Sequence, residues 1–237
     1  METKNIMIVG VGGQGTLLTS RILGGIAMQA GYDVKLSEVH GMAQRGGSVV
    51  TFVRYGASVA EPIVEEGCAD VIIAFERLEA KRYAHFLKKD GVMIINDQRI
   101  DPITVVTGAA TYPEGIIEDL QKDNKVFTVN AMEEAKKLGN SKVFNIIVLG
   151  IAAKHMDYTK EQWLQVIENT VPPKTIEINN NVDIVKEVAY AYFRQGTQLL
   201  YDQNRYRSEN WSPEQATKQQ TFYTDCSSFV NNVYYEA

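Results

Sequence analysis

The chain has 237 residues, 45% hydrophobic and 22% charged, enough to bury a full core in one domain that carries an appendage. A formal net charge of −5 and a pI near 5.3 exclude the basic footprint that nucleic acid or an anionic membrane surface would need. The opening Met1-Glu2-Thr3-Lys4-Asn5 leads into an apolar run too short for a signal peptide, and no stretch reaches the roughly 20 apolar residues of a spanning helix, so a cytoplasmic protein is expected.

In chain order, the apolar run Ile6-Met7-Ile8-Val9 predicts a strand, Gly10-Val11-Gly12-Gly13-Gln14-Gly15 a tight turn, and Thr16 to Ala30 a helix. Glycines let a backbone turn sharply and approach a ligand, and free N–H groups at a helix start favour a phosphate or carboxylate. A second strand, Val34 to Glu38, ends in an acid about 20 residues further on, where a dinucleotide fold places its ribose-binding carboxylate. NAD binding through Gly10, Gly12, Gly15 and Glu38 is therefore one reading. A glycine turn that serves only helix–strand packing is another.

Glu38-Val39-His40-Gly41-Met42-Ala43-Gln44-Arg45-Gly46-Gly47-Ser48 follows, lying between two expected strands. An ordinary connection needs turn residues, whereas Glu38, His40, Gln44 and Arg45 add acid, imidazole, amide and guanidinium where a parallel sheet presents its ligand edge. No ribose contact calls for such a crowd. The stretch reads as a site.

Ala69 to Phe75, Gly91 to Asn96 and Val126 to Val129 are short, nearly continuous apolar runs, as parallel strands covered on both faces should be. Helices are expected over Glu76 to Lys89, Ala131 to Leu138, Asn145 to Lys154 and Thr159 to Thr170, the last with Thr159 as its cap. The sum is an α/β fold, a doubly wound, mostly parallel sheet. Asp97-Gln98-Arg99, with Glu76 and Arg77 nearby, falls on the same sheet edge and reads first as a turn. His85 and His155 lack partners at ligand spacing, so packed or solvated side chains are expected rather than metal ligands.

Cys68 and Cys226 are the cysteines of the sequence. A cubane iron–sulfur cluster normally takes about four thiolates, so any such cluster must sit on another chain. Cys68, beside the run Val71-Ile72-Ile73-Ala74, reads as a small buried hydrophobe.

Together the Gly10 to Gly15 turn, the Glu38 to Ser48 stretch and Ala60-Glu61-Pro62-Ile63 resemble the beta subunit of indolepyruvate:ferredoxin oxidoreductases, the gamma-domain type of the 2-oxoacid:ferredoxin oxidoreductases. The likeness runs from about Lys4 to Asn181, which makes residues 1–181 a gamma-type domain and 182–237 a helical extension. It implies an assembly that oxidatively decarboxylates aryl 2-oxo acids, forms the acyl-CoA and reduces ferredoxin. It also implies that thiamine diphosphate, magnesium and [4Fe-4S] clusters reside on a partner alpha subunit, and that this chain binds none of them alone. Gly10, Gly12, Gly13, Gln14, Gly15, Glu38, His40, Gln44, Arg45, Gly46 and Gly47 then become candidates for holding substrate, coenzyme A or another anion, or for docking the partner. A purely structural subunit without a ligand is a further alternative.

From Asp183 a long helix is expected, and Tyr223-Thr224-Asp225-Cys226-Ser227-Ser228-Phe229-Val230 resembles the nucleophile region of NlpC/P60-type cysteine peptidases. Such a thiol needs a downstream histidine, whereas His40, His85 and His155 all precede it. Peptidase activity is not expected of this truncated fragment.

Overall fold

The computed structural model describes residues 2–41 and 46–171, all within one unit spanning Met1–Ile176. Gln44, Arg45 and the extension with Cys226 lie outside the described residues. Six strands form one sheet in the order β2-β3-β1-β4-β5-β6: β1 (Lys4–Val11), β2 (Asp33–His40), β3 (Ser48–Gly56), β4 (Ala69–Ala74), β5 (Leu87–Asn96) and β6 (Lys125–Val129). β1, β4, β5 and β6 pair in parallel, and β3 runs antiparallel to both β1 and β2. The sheet is mostly parallel, as expected. The placement of β3 between β1 and β2 is not a feature the apolar pattern reveals.

Helices cover both faces. On one lie α1 (Thr16–Gln29), α6 (Phe144–Ala153) and α7 (Lys160–Thr170); on the other lie α2 (Arg77–Tyr83) and α4 (Ile116–Asp123). Met7 and Val9, Ile72 and Ala74, and Met93 and Ile95 alternate along their strands toward Ala80 of α2 and Ile116 and Leu120 of α4. This two-sided burial explains why β1 and β4 read as continuous rather than alternating apolar runs. Among the described residues, α3 (Ile103–Val106) and α5 (Ala131–Lys137) complete the set. Among the described residues no helix is long and apolar enough to cross a membrane.

Helix ends follow local chemistry. Thr159 caps α7 with a reciprocal capping box, its hydroxyl accepting from the Gln162 N–H while the Gln162 side chain accepts from the Thr159 N–H. Asn130 caps α5 by accepting from the Glu133 N–H. The helix expected over Glu76 to Lys89 is shorter. α2 ends at Tyr83, a single tight turn spans Ala84–Phe86, and Leu87 opens β5 because its side chain joins the sheet core.

Cys68 also departs from expectation, because it is exposed. It sits in the turn before β4, after Gly67 at φ 71, and its N–H is tied to the Glu65 carbonyl. The core begins one residue later, at Ala69.

His155 is packed, with its ring centroid 5.0 Å from that of Phe127. Burial, with Lys125 and Lys154 nearby, lowers its pKa to about 4. Because the folded value lies below the ordinary one of 6.5, stability from the neutral ring is complete above that value and is lost as pH falls through about 4. His155→Phe should flatten this part of the acid unfolding profile, followed by circular dichroism between those pH values.

Candidate functional site

The ends of β1, β4, β5 and β6 and the start of β3 meet at one sheet edge, and the chain leaves β1 toward one side before crossing to the other, which is where open α/β sheets bind ligands. The glycine turn and the polar loop therefore share an edge. They are joined directly, since Gly12 N–H donates to the Gly47 carbonyl at 2.9 Å and Gly46 N–H donates to the Gly12 carbonyl at 3.4 Å. These bonds extend the β1–β3 ladder one step past its last pair, Val11 and Ser48.

Three glycines of the turn, Gly10, Gly13 and Gly15, each have their own reason. A Cβ on Gly10 would lie 2.9 Å from Gln14 Oε1 and 3.2 Å from Phe75 Cβ, so Gly10 admits the side chain that folds over it. Gly13 and Gly15 have φ of 104° and 85°, a region that other residues enter at a cost. A Cβ on Gly15 would also meet Asn145 Nδ2 at 2.4 Å. Asn145, buried at the start of α6, is a site neighbour that the sequence pattern hides within an apolar helix.

Gln14 turns inward. Its Oε1 accepts from the Val11 N–H at 2.7 Å, and its Nε2 donates to the Phe75 carbonyl at 2.9 Å and to Gln98 Oε1 at 3.1 Å. Asn96 donates to the same two oxygens and accepts from the Ala131 N–H. This amide network links the ends of β1, β4 and β5 to the start of α5. The Gly12 and Gln14 amide protons are both committed to carbonyls, whereas among the described residues no such bond holds those of Gly13 and Gly15.

Glu38 takes the hydroxyls of Thr16 at 3.2 Å and Thr51 at 3.1 Å. A carboxylate is thereby held at the first residue of α1, where the helix dipole favours negative charge. A dinucleotide fold pairs its first strand with the strand bearing the ribose acid, but β3 intervenes here and sets Glu38 two strands away from β1. That strand order departs from an NAD fold, although Glu38 still reaches Thr16, the residue directly after Gly15. His40 is exposed at the loop's other foot, its Nδ1 3.0 Å from the Gly41 carbonyl oxygen.

Around Asp97-Gln98-Arg99 the structure forms a pocket of about 220 Å³ between the start of α2 and the start of α4. Arg77 pairs with Asp97, and Arg99 pairs with Asp101 while lying 4.4 Å from the Tyr112 ring centroid. Glu76 is consumed as the α2 cap, accepting from the Glu79 N–H and the Tyr112 hydroxyl. Burial and this carboxylate push the Tyr112 hydroxyl well above its ordinary range. With Asp97, Glu114 and Glu118 on the lining beside the two arginines, the pocket has no single preferred charge. Among the described residues no three His, Cys, Asp or Glu side chains gather as a metal site.

The pyruvate ferredoxin/flavodoxin oxidoreductase family model matches residues 5–192, and the chain belongs to that family. Over 187 residues it is 41% identical to an indolepyruvate oxidoreductase subunit IorB from Thermococcus kodakarensis, covering 76% of this chain and 92% of the relative. A subunit of the same name from Archaeoglobus fulgidus is 45% identical over 180 residues, covering 74% and 89%. The pyruvate oxidoreductase subunit PORC from Thermotoga maritima shares the fold with a TM-score of 0.59 at 20% identity, covering 80% of this chain and 97% of its own. The resemblance carried by the glycine turn, the Glu38 to Ser48 stretch and Ala60 to Ile63 is borne out. The family match ends at residue 192, beyond Asn181.

Gly15→Ala should destabilise the protein by about 2 kcal/mol through its positive φ and the Asn145 contact. Thermal unfolding with and without Asn145→Ala checks this, since removing the amide should return the steric part of the loss.

Proposed function

We propose that this chain is the beta subunit of an indolepyruvate:ferredoxin oxidoreductase and supports the CoA- and ferredoxin-dependent oxidative decarboxylation of aryl 2-oxo acids. The observation that carries this reading is the union of glycine turn and polar loop at the sheet edge through the Gly12, Gly46 and Gly47 bonds, in a chain whose relatives bear that subunit's name.

Thiamine diphosphate with magnesium, and the [4Fe-4S] clusters, belong to the partner alpha subunit in this reading. Thiamine stabilises the carbanion left by carbon dioxide, and the clusters take electrons one at a time toward ferredoxin. This chain contributes shape. Its edge holds its own amides and carboxylates in internal bonds, so the face offered to a partner is preformed and loses little entropy on docking. Gly13 and Gly15 amides, with the Arg45 guanidinium, are the groups that would meet an anionic part of substrate or coenzyme A. His40 and Gln44 would border it.

Co-expression with a thiamine- and cluster-bearing partner, with and without residues 182–237, tests the assignment. A complex that reduces ferredoxin with indolepyruvate and coenzyme A is the expected result, and failure of the two chains to co-purify in either form would contradict it. Arg45→Ala separates two roles for the loop. Retained assembly with turnover down by about tenfold or more marks ligand contact, worth about 1.4 kcal/mol or more. Lost assembly marks docking.

A further inference from the structure

Glu79 is a buried carboxylate that the proposed function does not use. It lies on α2 at 4% exposure, although the helix is already fixed by the Glu76 cap and by Ala80 in the core. Packing alone does not require an acid there. Its Oε2 accepts from the Ser48 hydroxyl, and its Oε1 lies 3.4 Å from Arg82 Nε. The Tyr83 hydroxyl approaches the same Ser48 oxygen at 3.5 Å, and Glu76 is the like charge nearby. Burial pushes the Glu79 carboxyl above the ordinary glutamate range, with Ser48 and Arg82 acting in the opposite sense.

Ser48 is the residue through which Glu79 reaches the edge. It is the first residue of β3, it stands opposite Val11, the last residue of β1, and it directly follows Gly47, whose carbonyl receives the Gly12 N–H. We propose that Glu79 is a positioning residue that, through the Ser48 hydroxyl, fixes the Gly46–Ser48 foot of the polar loop against the glycine turn. The other foot has a matching acid, since Glu38 holds Thr16 and Thr51 across α1 and β3. Two carboxylates on opposite faces of the sheet thus set where the loop departs and returns. The importance of this geometry for turnover rests on the subunit reading above, whereas the clasp itself does not.

The test measures amide exchange of Gly12 and Gly46 by NMR in the full chain, comparing Ser48→Ala, Glu79→Ala and Glu79→Gln. Ser48→Ala and Glu79→Ala should speed exchange at both amides by about tenfold, the scale of one lost hydrogen bond to a charged group, while Ile73 and Ile94 in the core stay unchanged. Glu79→Gln keeps an oxygen acceptor for Ser48 and should remain within about threefold of the parent. Wild-type exchange in Ser48→Ala, or a Glu79→Gln variant as fast as Glu79→Ala, overturns the proposal. Should Glu79→Ala fail to fold, the Ser48→Ala and Glu79→Gln comparison with the parent still decides it. In the assembled complex the same order should appear as a loss in kcat/KM, with Glu79→Gln rescued. A parent complex that does not turn over sinks the subunit reading and leaves the exchange result to judge the clasp.

Discussion

Two backbone hydrogen bonds between Gly12 and the Gly46-Gly47 pair hold the candidate site together, and they exist because an antiparallel strand lies beside β1. Were β2 the neighbour of β1, as in a dinucleotide fold, no strand would run back along β1 to bring Gly47 to Gly12. With β3 inserted, the chain must come back along β1 and deliver Gly47 to Gly12. The same insertion displaces Glu38 toward Thr16 and Thr51, where it compensates the start of α1. One change in strand order creates the composite edge and departs from the strand order of a dinucleotide fold.

Side-chain amides then stiffen what the strands bring together. Gln14 and Asn96 each donate to the Phe75 carbonyl and to Gln98 Oε1, and Asn96 also accepts from the Ala131 N–H. Gln14 and Asn96 are nearly inaccessible, so their bonds exchange little with water and an unpaired partner would be costly. The buried network therefore holds the ends of β1, β4 and β5 in fixed register beneath the edge.

Much of this was legible in the residues. Apolar runs at Ile6 to Val9, Ala69 to Phe75 and Gly91 to Asn96 showed buried parallel strands, because burial on both faces suppresses alternation. Thr159 announced its helix by capping chemistry. Strand order was not legible, since β2 and β3 pair with neighbours through backbone bonds that composition does not encode. Glu76 to Lys89 looked helical because its charged residues favour helices, yet tertiary burial of Leu87 took its end into the sheet. Cys68 looked buried from the apolar run beside it, and one residue of offset placed it in the turn. Asn145 and Glu79 escaped notice because each sits inside a helix whose other residues explain the pattern, and the contacts with Gly15 and Ser48 span distances in sequence that no local signal crosses.

The central claim is that the edge formed by the glycine turn and the polar loop faces the proposed catalytic partner. Hydrogen exchange read by mass spectrometry on this chain alone and in complex with the proposed thiamine-bearing subunit measures it directly. The account predicts protection on assembly concentrated in the peptides spanning residues 10–16 and 38–48. Unchanged exchange there, with protection confined to α7 or to the opposite edge of the sheet, would contradict it.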